Sequence, residues 1–420
     1  RYRLGPWTPQ GDSTQIGAPV IVKNAQPTMR GSYRELKNFS PSAGSASVLA
    51  GDEIYRHFAV KTLNGQRREF ISFRSASAAK IFEYNFTADT YTNVTGTYVL
   101  QFFPYNIIAH PTVSTAVILG GGDINKLKVS ATVNAAFADL DASAPAASII
   151  VAASDFLLAF QTTAVPIWYC SAIGNPLSWT PSIATQAATG SVGSITGPIT
   201  AAKTLNNDVV VYKSNSIYLG RYKGPPEIWT WNLITDDIGT EILDSVLSID
   251  NVHYFVSRDK FYAFDGSFPR EIPGFAEIRQ FYLFNEKLRF EWLSQTPPFS
   301  INYVLRYAEA EDIIYFYPQA VTLYTTFPYF FLYHLKSGRF SAGSVSDLLA
   351  YGTSVTVSER LNMSGSIFRS PCLFVKDTTT SGKLITQDTR TDGSFGVLGQ
   401  SEFQFGPYGQ EDAISHIERL

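Results

Sequence analysis

The sequence predicts an all-β fold: a β-propeller of about six blades with an extended N-terminal arm and a few short helices. Short runs rich in Val, Ile, Tyr, Phe and Thr alternate with clusters of Gly, Asn, Asp and Ser along most of the chain. That is the composition of strands joined by turns. Two of these runs are hairpin signatures. In Val209–Leu219 and Val252–Phe264, β-rich flanks surround the turn formers Ser214-Asn215 and Arg258-Asp259. Aligning Asn215 with Asp259 also aligns Ile217 with Phe261 and Tyr218 with Tyr262, an offset of 44 residues. A four-stranded propeller blade takes roughly 40–45 residues. A sandwich or barrel that has this spacing by coincidence is the alternative.

The elements follow in order. Residues 1–50 are rich in Pro, Gly, Ser and Gln, so they have little core of their own and are expected to lie across the propeller or contact other chains. Residues 51–350 are the expected propeller core, with looser echoes of the hairpin at Phe70–Tyr84, Ile149–Phe160 and Ile313–Leu335. Within it, Glu277–Ser294 sets Ile278, Phe281, Tyr282, Phe284 and Leu288 at near-helical intervals before Pro297-Pro298, which predicts a helix stopped by the prolines. Residues 351–420 are expected to supply closing strands and a tail, where Ala413, Ile414, Ile417 and Leu420 mark one stripe of a short helix.

Composition narrows the function classes. Charged residues are 16% of the chain and aromatics 14%, against about 25% charged in an average domain. Intrinsic disorder needs the reverse balance. A net charge of −3 is not that of a basic nucleic-acid binder. The most apolar stretch, Ser148–Phe160, contains Asp155 and falls short of the roughly 18 apolar residues of a membrane span. The opening RYRLGPWTPQ has no apolar leader core, so no secretory signal is expected there. The four N-glycosylation sequons, at Asn38, Asn85, Asn93 and Asn362, are accordingly read as chance. Cys170 and Cys372 are expected to be reduced, buried and unpaired.

Few residues point to chemistry. His57, His110, His253, His334 and His416 are isolated from one another and from both cysteines, which is no metal-ligand pattern. Gly120-Gly121-Gly122-Asp123 reads as a turn rather than a phosphate-binding loop. Ser171–Trp179 carries the Ser, Gly and Trp of a sialidase-type Asp-box, with Ile173 in place of its Asp. A glycosidase needs two facing carboxylates. Asp236-Asp237 and Glu309, Glu311 and Asp312 are acids of the right type, read as solvated turn acids. Trp229, Trp231 and Leu233 share one strand face and could stack on a sugar, although a core or subunit-interface use fits them better. Arg1, Arg3, Arg67-Arg68 (after the Asn64-Gly65 turn), Lys126 and Lys128 form no stripe with interleaved aromatics and read as charged turn residues.

Taken together, the segments resemble the nozzle, or tail-hub, proteins of short-tailed bacteriophages. That family's N-terminal pattern is matched by Trp7-Thr8-Pro9, by Asn24 with Pro27, and by Gly31-Ser32-Tyr33. Its hairpin and Gly/Trp-rich segment resemble Lys213–Thr240, which includes Trp229 and Trp231. Its Asp-Gly strand is similar to Arg258–Gly266, ending in Asp265-Gly266, with Lys260 where the family has Gly. Gln280–Leu288, Glu311–Pro318 and Tyr329–Gly343 follow in family order, with Phe340 where a Trp is customary. The similarity spans residues 5–345; residues 350–420 match no part of the pattern. The resemblance implies a propeller subunit of a virion ring, usually a homohexamer. The ring would sit below the portal and adaptor, beside tail fibres or tailspikes, and retain and then release double-stranded DNA through its lumen. It implies no catalysis, cofactor, metal or membrane insertion. Because phosphate contacts brake sliding DNA, the lumen is expected to be acidic or neutral, with Asp236, Asp237, Glu309, Glu311 and Asp312 as exposed loop acids. The alternative is a carbohydrate-binding or glycoside-cleaving propeller, from a tailspike or a secreted protein; a scaffold propeller with a peptide ligand is a third reading.

Overall fold

Strands whose side chains are apolar on both faces must be covered on both faces, and stacked sheets do this. The sheet of Ile199–Leu205, Asp208–Lys213, Ile217–Gly224 and Ile228–Thr235 shows the consequence in a computed structural model of the chain. Val209, Val211 and Tyr218 are buried on one face with Ile149, Val151, Phe156 and Leu158 of the preceding sheet. Val210, Tyr212, Ile217 and Leu219 are buried on the other with Phe255, Tyr262 and Phe264 of the following sheet. Period-two alternation is present, but both phases are apolar, so each side chain of the run is removed from water. At about 1.5–3 kcal/mol per buried aliphatic or aromatic side chain, these seams are the main stabilising feature of the fold.

The structure describes residues 19–23, 25–30, 32–35, 39–41, 53–74, 79–85, 90–96, 106–194, 197–242, 245–284, 303–318, 329–344, 354–364, 366–376, 382–387 and 402–405. They fall into two compact units, Gly51–Glu271 and the pair Arg1–Ala50 with Ile272–Leu420.

The unit Gly51–Glu271 is five antiparallel four-stranded blades, each with its strands in chain order. Blade 1 is Glu53–Lys61, Arg67–Arg74, Ala79–Asn85 and Thr90–Asn93. Blade 2 is Ile107–Ala109, Val117–Leu119, Lys128–Ser130 and Ala138–Asp139. Blade 3 is Ile149–Ala153, Phe156–Phe160, Ile167–Cys170 and Ala188–Ser191. Blade 4 is Ile199–Leu205, Asp208–Lys213, Ile217–Gly224 and Ile228–Thr235. Blade 5 is Leu247–Ile249, Val252–Ser257, Lys260–Phe264 and Arg270–Ile272. The first strands of consecutive blades lie side by side, so the first strand of each blade is its inner one. Ser154-Asp155 and Asp250-Asn251 both have positive φ at their two turn residues, the geometry of two-residue turns whose twist matches that of the strands they join.

In the second unit, blade 6 is Tyr303–Ala308, Ile313–Pro318, Tyr329–His334 and Arg339–Ser344. Its fourth strand is extended by Pro19–Lys23, parallel to it, and then by Glu402–Phe405, antiparallel to Pro19–Lys23. A small hairpin pairs Ala25–Pro27 with Tyr33–Glu35. A further sheet joins Ser354–Ser364, Ser366–Lys376, Gly382–Gln387 and Phe39–Pro41. Phe275, at the start of the helix Phe275–Phe284, packs against Phe316 at 4.8 Å and Tyr303 at 5.6 Å between ring centroids.

With six successive blades and one short helix among the described residues, the chain is a β-propeller. Both strong hairpin signatures are second-to-third strand hairpins of neighbouring blades. Phe70–Tyr84 and Ile313–Leu335 hold the equivalent hairpins of blades 1 and 6. Ile149–Phe160 is a correction: it is the first-to-second strand hairpin of blade 3, because the inner strand there is as apolar as the second. The helix starts two residues before the expected Glu277, on Gly274 with φ +96°; its expected end at Pro297-Pro298 and the tail helix lie outside the described residues.

Candidate functional site

The connection from blade 4 to blade 5 carries the first of the expected acids. Asp236 and Asp237 are exposed there, and the Asp237 N–H donates to Thr235 Oγ1 at 3.3 Å. The Asp237 carboxylate lies 3.6 Å from Arg258, the cap of the blade 5 hairpin, with both side chains well in solvent. An exposed pair of this kind contributes about 0–1 kcal/mol. The second acid group occupies the first-to-second strand turn of blade 6. Glu309 is exposed there, but Glu311 and Asp312 are half-buried, a correction to the expectation of free loop acids. Asp312 has left-handed φ (+59°), accepts the Tyr307 hydroxyl at 2.9 Å and lies 3.5 Å from Lys336. It shapes the turn.

The motif residues have architectural positions. Trp229 is buried and meets Phe156 of blade 3 edge-on at 5.8 Å. Trp231 meets Phe160 at 5.7 Å and Trp168 at 5.8 Å. Both indoles thus fill the blade 3–blade 4 seam, where no sugar ring can stack on Trp229, while Leu233 on the same strand is exposed. Asp265 accepts the Ser267 N–H at 3.2 Å and the Ser267 hydroxyl at 2.5 Å, and pairs with Arg270; the Ser267 bonds hold its carboxyl below the usual range. Gly266, at φ +100°, lets the chain turn beside Leu205. Pro27 and Tyr33 are register partners in the small hairpin, and the Tyr33 hydroxyl donates to Phe340 O at 3.2 Å. Trp7, Pro9 and Asn24 lie outside the described residues.

The Asp-box-like segment is the connection between the third and fourth strands of blade 3. Ser171 Oγ accepts the Leu157 N–H at 3.0 Å, and Trp179, buried, donates its indole N–H to Pro176 O at 2.9 Å. Ile173 is exposed in the place of the Asp. The segment is a stapled turn.

Sequence reasoning missed the polar pins inside the seams. Arg67 and Arg68 are not turn residues; they open the second strand of blade 1 and are buried. Arg68 binds Glu83 through Nε at 2.7 Å and Nη2 at 2.8 Å. It also donates to Ser130 Oγ, Ser130 O and Thr132 O at 2.7–3.0 Å, tying blade 1 to blade 2. Arg67 pairs with Glu69, and buried Lys128 with Asp139. In the next seam, Asp123 accepts the Ser148 hydroxyl at 2.7 Å and the Thr162 hydroxyl at 2.9 Å. In the blade 4–blade 5 seam, His253 Nδ1 lies 2.9 Å from the Tyr212 hydroxyl and Nε2 lies 2.8 Å from Thr204 O. Burial pushes His253 down to about 4, against the opposing pull of the Thr204 carbonyl. The ring is therefore neutral at pH 7, donating from Nε2 and accepting at Nδ1. Lys213, pushed down to about 8 by burial, donates to Val192 O at 2.8 Å. Cys170 is a buried free thiol, pushed up to about 12 by burial. The Cys372 side chain lies outside the described ones.

Among the described residues, no three His, Cys, Asp or Glu side chains gather as a metal site, and no helix is long and apolar enough to cross a membrane. No family model and no curated relative matches the chain. The solved structure of the AfRom2 CNH domain is similar over 84% of this chain and all of its own length, at 8% identity and a TM-score of 0.42, a likeness too slight to argue from.

Proposed function

We propose that this chain is a structural virion subunit, the nozzle or tail hub of a short-tailed bacteriophage. In this reading a homohexameric ring hangs below the portal and adaptor, with tail fibres or tailspikes at its side. It retains and then releases double-stranded DNA. The observation that carries the reading is the ordered series of motifs between Trp7 and Phe340. Of its described members, Trp229 and Trp231 pack the blade 3–blade 4 seam and Asp265 and Gly266 shape a turn, roles that suit a wall. Of the basic residues singled out in the sequence, Arg67, Arg68 and Lys128 are spent inside blades on Glu69, Glu83 and Asp139. That supports a lumen that lets DNA slide. The buried indole of Trp229 weighs against the sugar-binding alternative.

Negative-stain images of the purified protein test the assembly; sixfold rings are expected, and a monomer at micromolar concentration overturns the reading. Titration of the ring against duplex DNA tests the wall. Submicromolar affinity with a steep salt dependence would show a basic lumen.

A further inference from the structure

Propeller blades end in an outer strand with one unpaired edge, and such edges are normally kept short or charged. Four of the five blades of Gly51–Glu271 follow this: their outer strands have 4, 2, 4 and 3 residues. Blade 4 does not. Its outer strand, Ile228-Trp229-Thr230-Trp231-Asn232-Leu233-Ile234-Thr235, has 8 residues with no charge and no proline. Among the described residues it pairs only with the third strand of its own blade. The strand is held rigid from both faces. Trp229 and Trp231 are packed among blade 3 side chains, and Ile234 packs against the cluster shared with blade 5. The same chain covers the other long outer strand, Arg339–Ser344 of blade 6, by laying Pro19–Lys23 along it.

We infer that the edge of Ile228–Thr235 is a docking site for an extended strand of another polypeptide, which would add to blade 4 by main-chain hydrogen bonding. Charge decides the kind of strand. At the start of the edge, Glu227 is answered by Lys223 at 3.9 Å. At its end, Arg258 answers Asp237, while Asp236 has no ion pair among the described residues. The fitting partner is a β-branched segment that carries Lys or Arg where it passes Asp236. A second copy through the same edge fits poorly, because antiparallel self-pairing centred on the strand sets Glu227 of one copy against Asp236 of the other. The inference stands independently of the nozzle reading.

The test uses the full chain and a soluble Val/Thr peptide of the strand's length ending in lysines. A second peptide ends in glutamates, and a third is the lysine peptide N-methylated on alternate amides. The lysine peptide should bind about tenfold more tightly than the glutamate peptide at low salt, a difference of ~1.4 kcal/mol. It should slow amide hydrogen exchange within 228–235, and N-methylation should abolish binding. Asp236→Lys, an exposed position, should reverse the preference between the two charged peptides. Absence of binding, equal binding of the N-methylated peptide, or protection elsewhere overturns the proposal. Protection of 228–235 that rises with protein concentration and no peptide assigns the edge to a second copy, and overturns it as well.

Discussion

Two seams of the same compact unit have apolar packing in common and differ in what is set into it. Between blades 3 and 4, Phe156, Phe160, Trp168, Trp229 and Trp231 interlock as rings. Between blades 1 and 2, an arginine with no exposed surface is surrounded by a carboxylate, a hydroxyl and carbonyls. The aromatic seam is stabilised in proportion to the area it buries, so its contributions are spread over many contacts. The blade 1–blade 2 seam also buries an apolar cluster, with Phe70 against Phe137 at 5.6 Å between ring centroids, and sets a single ionic knot into it. The knot's attraction must offset the desolvation of two charges, and it therefore fixes blade register more than it adds stability.

The largest expected effect breaks the ionic knot from one side. Arg68→Ala leaves Glu83 buried with the Asn134 N–H as its remaining described donor, and should cost about 3–5 kcal/mol in denaturant unfolding. The double substitution Arg68→Met with Glu83→Leu sharpens the point: it should recover most of that loss, since no buried charge is left behind. Trp229→Ala should cost about 3–5 kcal/mol by opening a cavity in the aromatic seam, and no single partner substitution should restore it.

The blade 4–blade 5 seam lies between these extremes, and pH probes it. His253 is depressed to about 4 from its ordinary 6.5, so the unfolded chain binds the extra proton between those values. Stability is then fully present above about pH 6.5 and lost as pH falls toward 4, by up to about 3 kcal/mol. His253→Gln should flatten that part of a stability–pH profile; an unchanged slope would mean the loss arises elsewhere. Smaller again is Gly220→Ala. A Cβ there would meet the Trp231 ring at 2.3 Å, and the overpacking should cost about 1–3 kcal/mol. Smallest is Arg258→Ala, which removes an exposed pair and should shift unfolding by less than about 0.5 kcal/mol.

These contrasts also explain what the sequence discloses. The hairpins at Ser214-Asn215 and Arg258-Asp259 are legible because long β-branched and aromatic runs flank a short polar turn. Blade 2 is not, because strands such as Val117–Leu119 and Ala138–Asp139 are too short for any period to register. The repeat is uneven as well: second strands begin at Arg67, Val117, Phe156, Asp208, Val252 and Ile313, stretched by connections such as residues 171–187. Trp229 and Trp231 could be placed on one strand face from spacing alone. Arg68 could not. In sequence it sits in the charged run Arg67-Arg68-Glu69, and its partners Glu83 and Ser130 are 15 and 62 residues away.

The pairing of Pro19–Lys23 with Glu402–Phe405 bears on the order of events during synthesis. Each blade of Gly51–Glu271 is made from neighbouring stretches of chain and can close soon after its own residues leave the ribosome. The sheet of blade 6 cannot be finished on that schedule. Pro19–Lys23 is made before Gly51–Glu271, yet its two neighbours, Arg339–Ser344 and Glu402–Phe405, are made after it. Until they arrive, an apolar strand waits with both edges open. Nascent chains halted between residues 272 and 338 should therefore resist protease within 51–271 while remaining cleavable near residues 19–23.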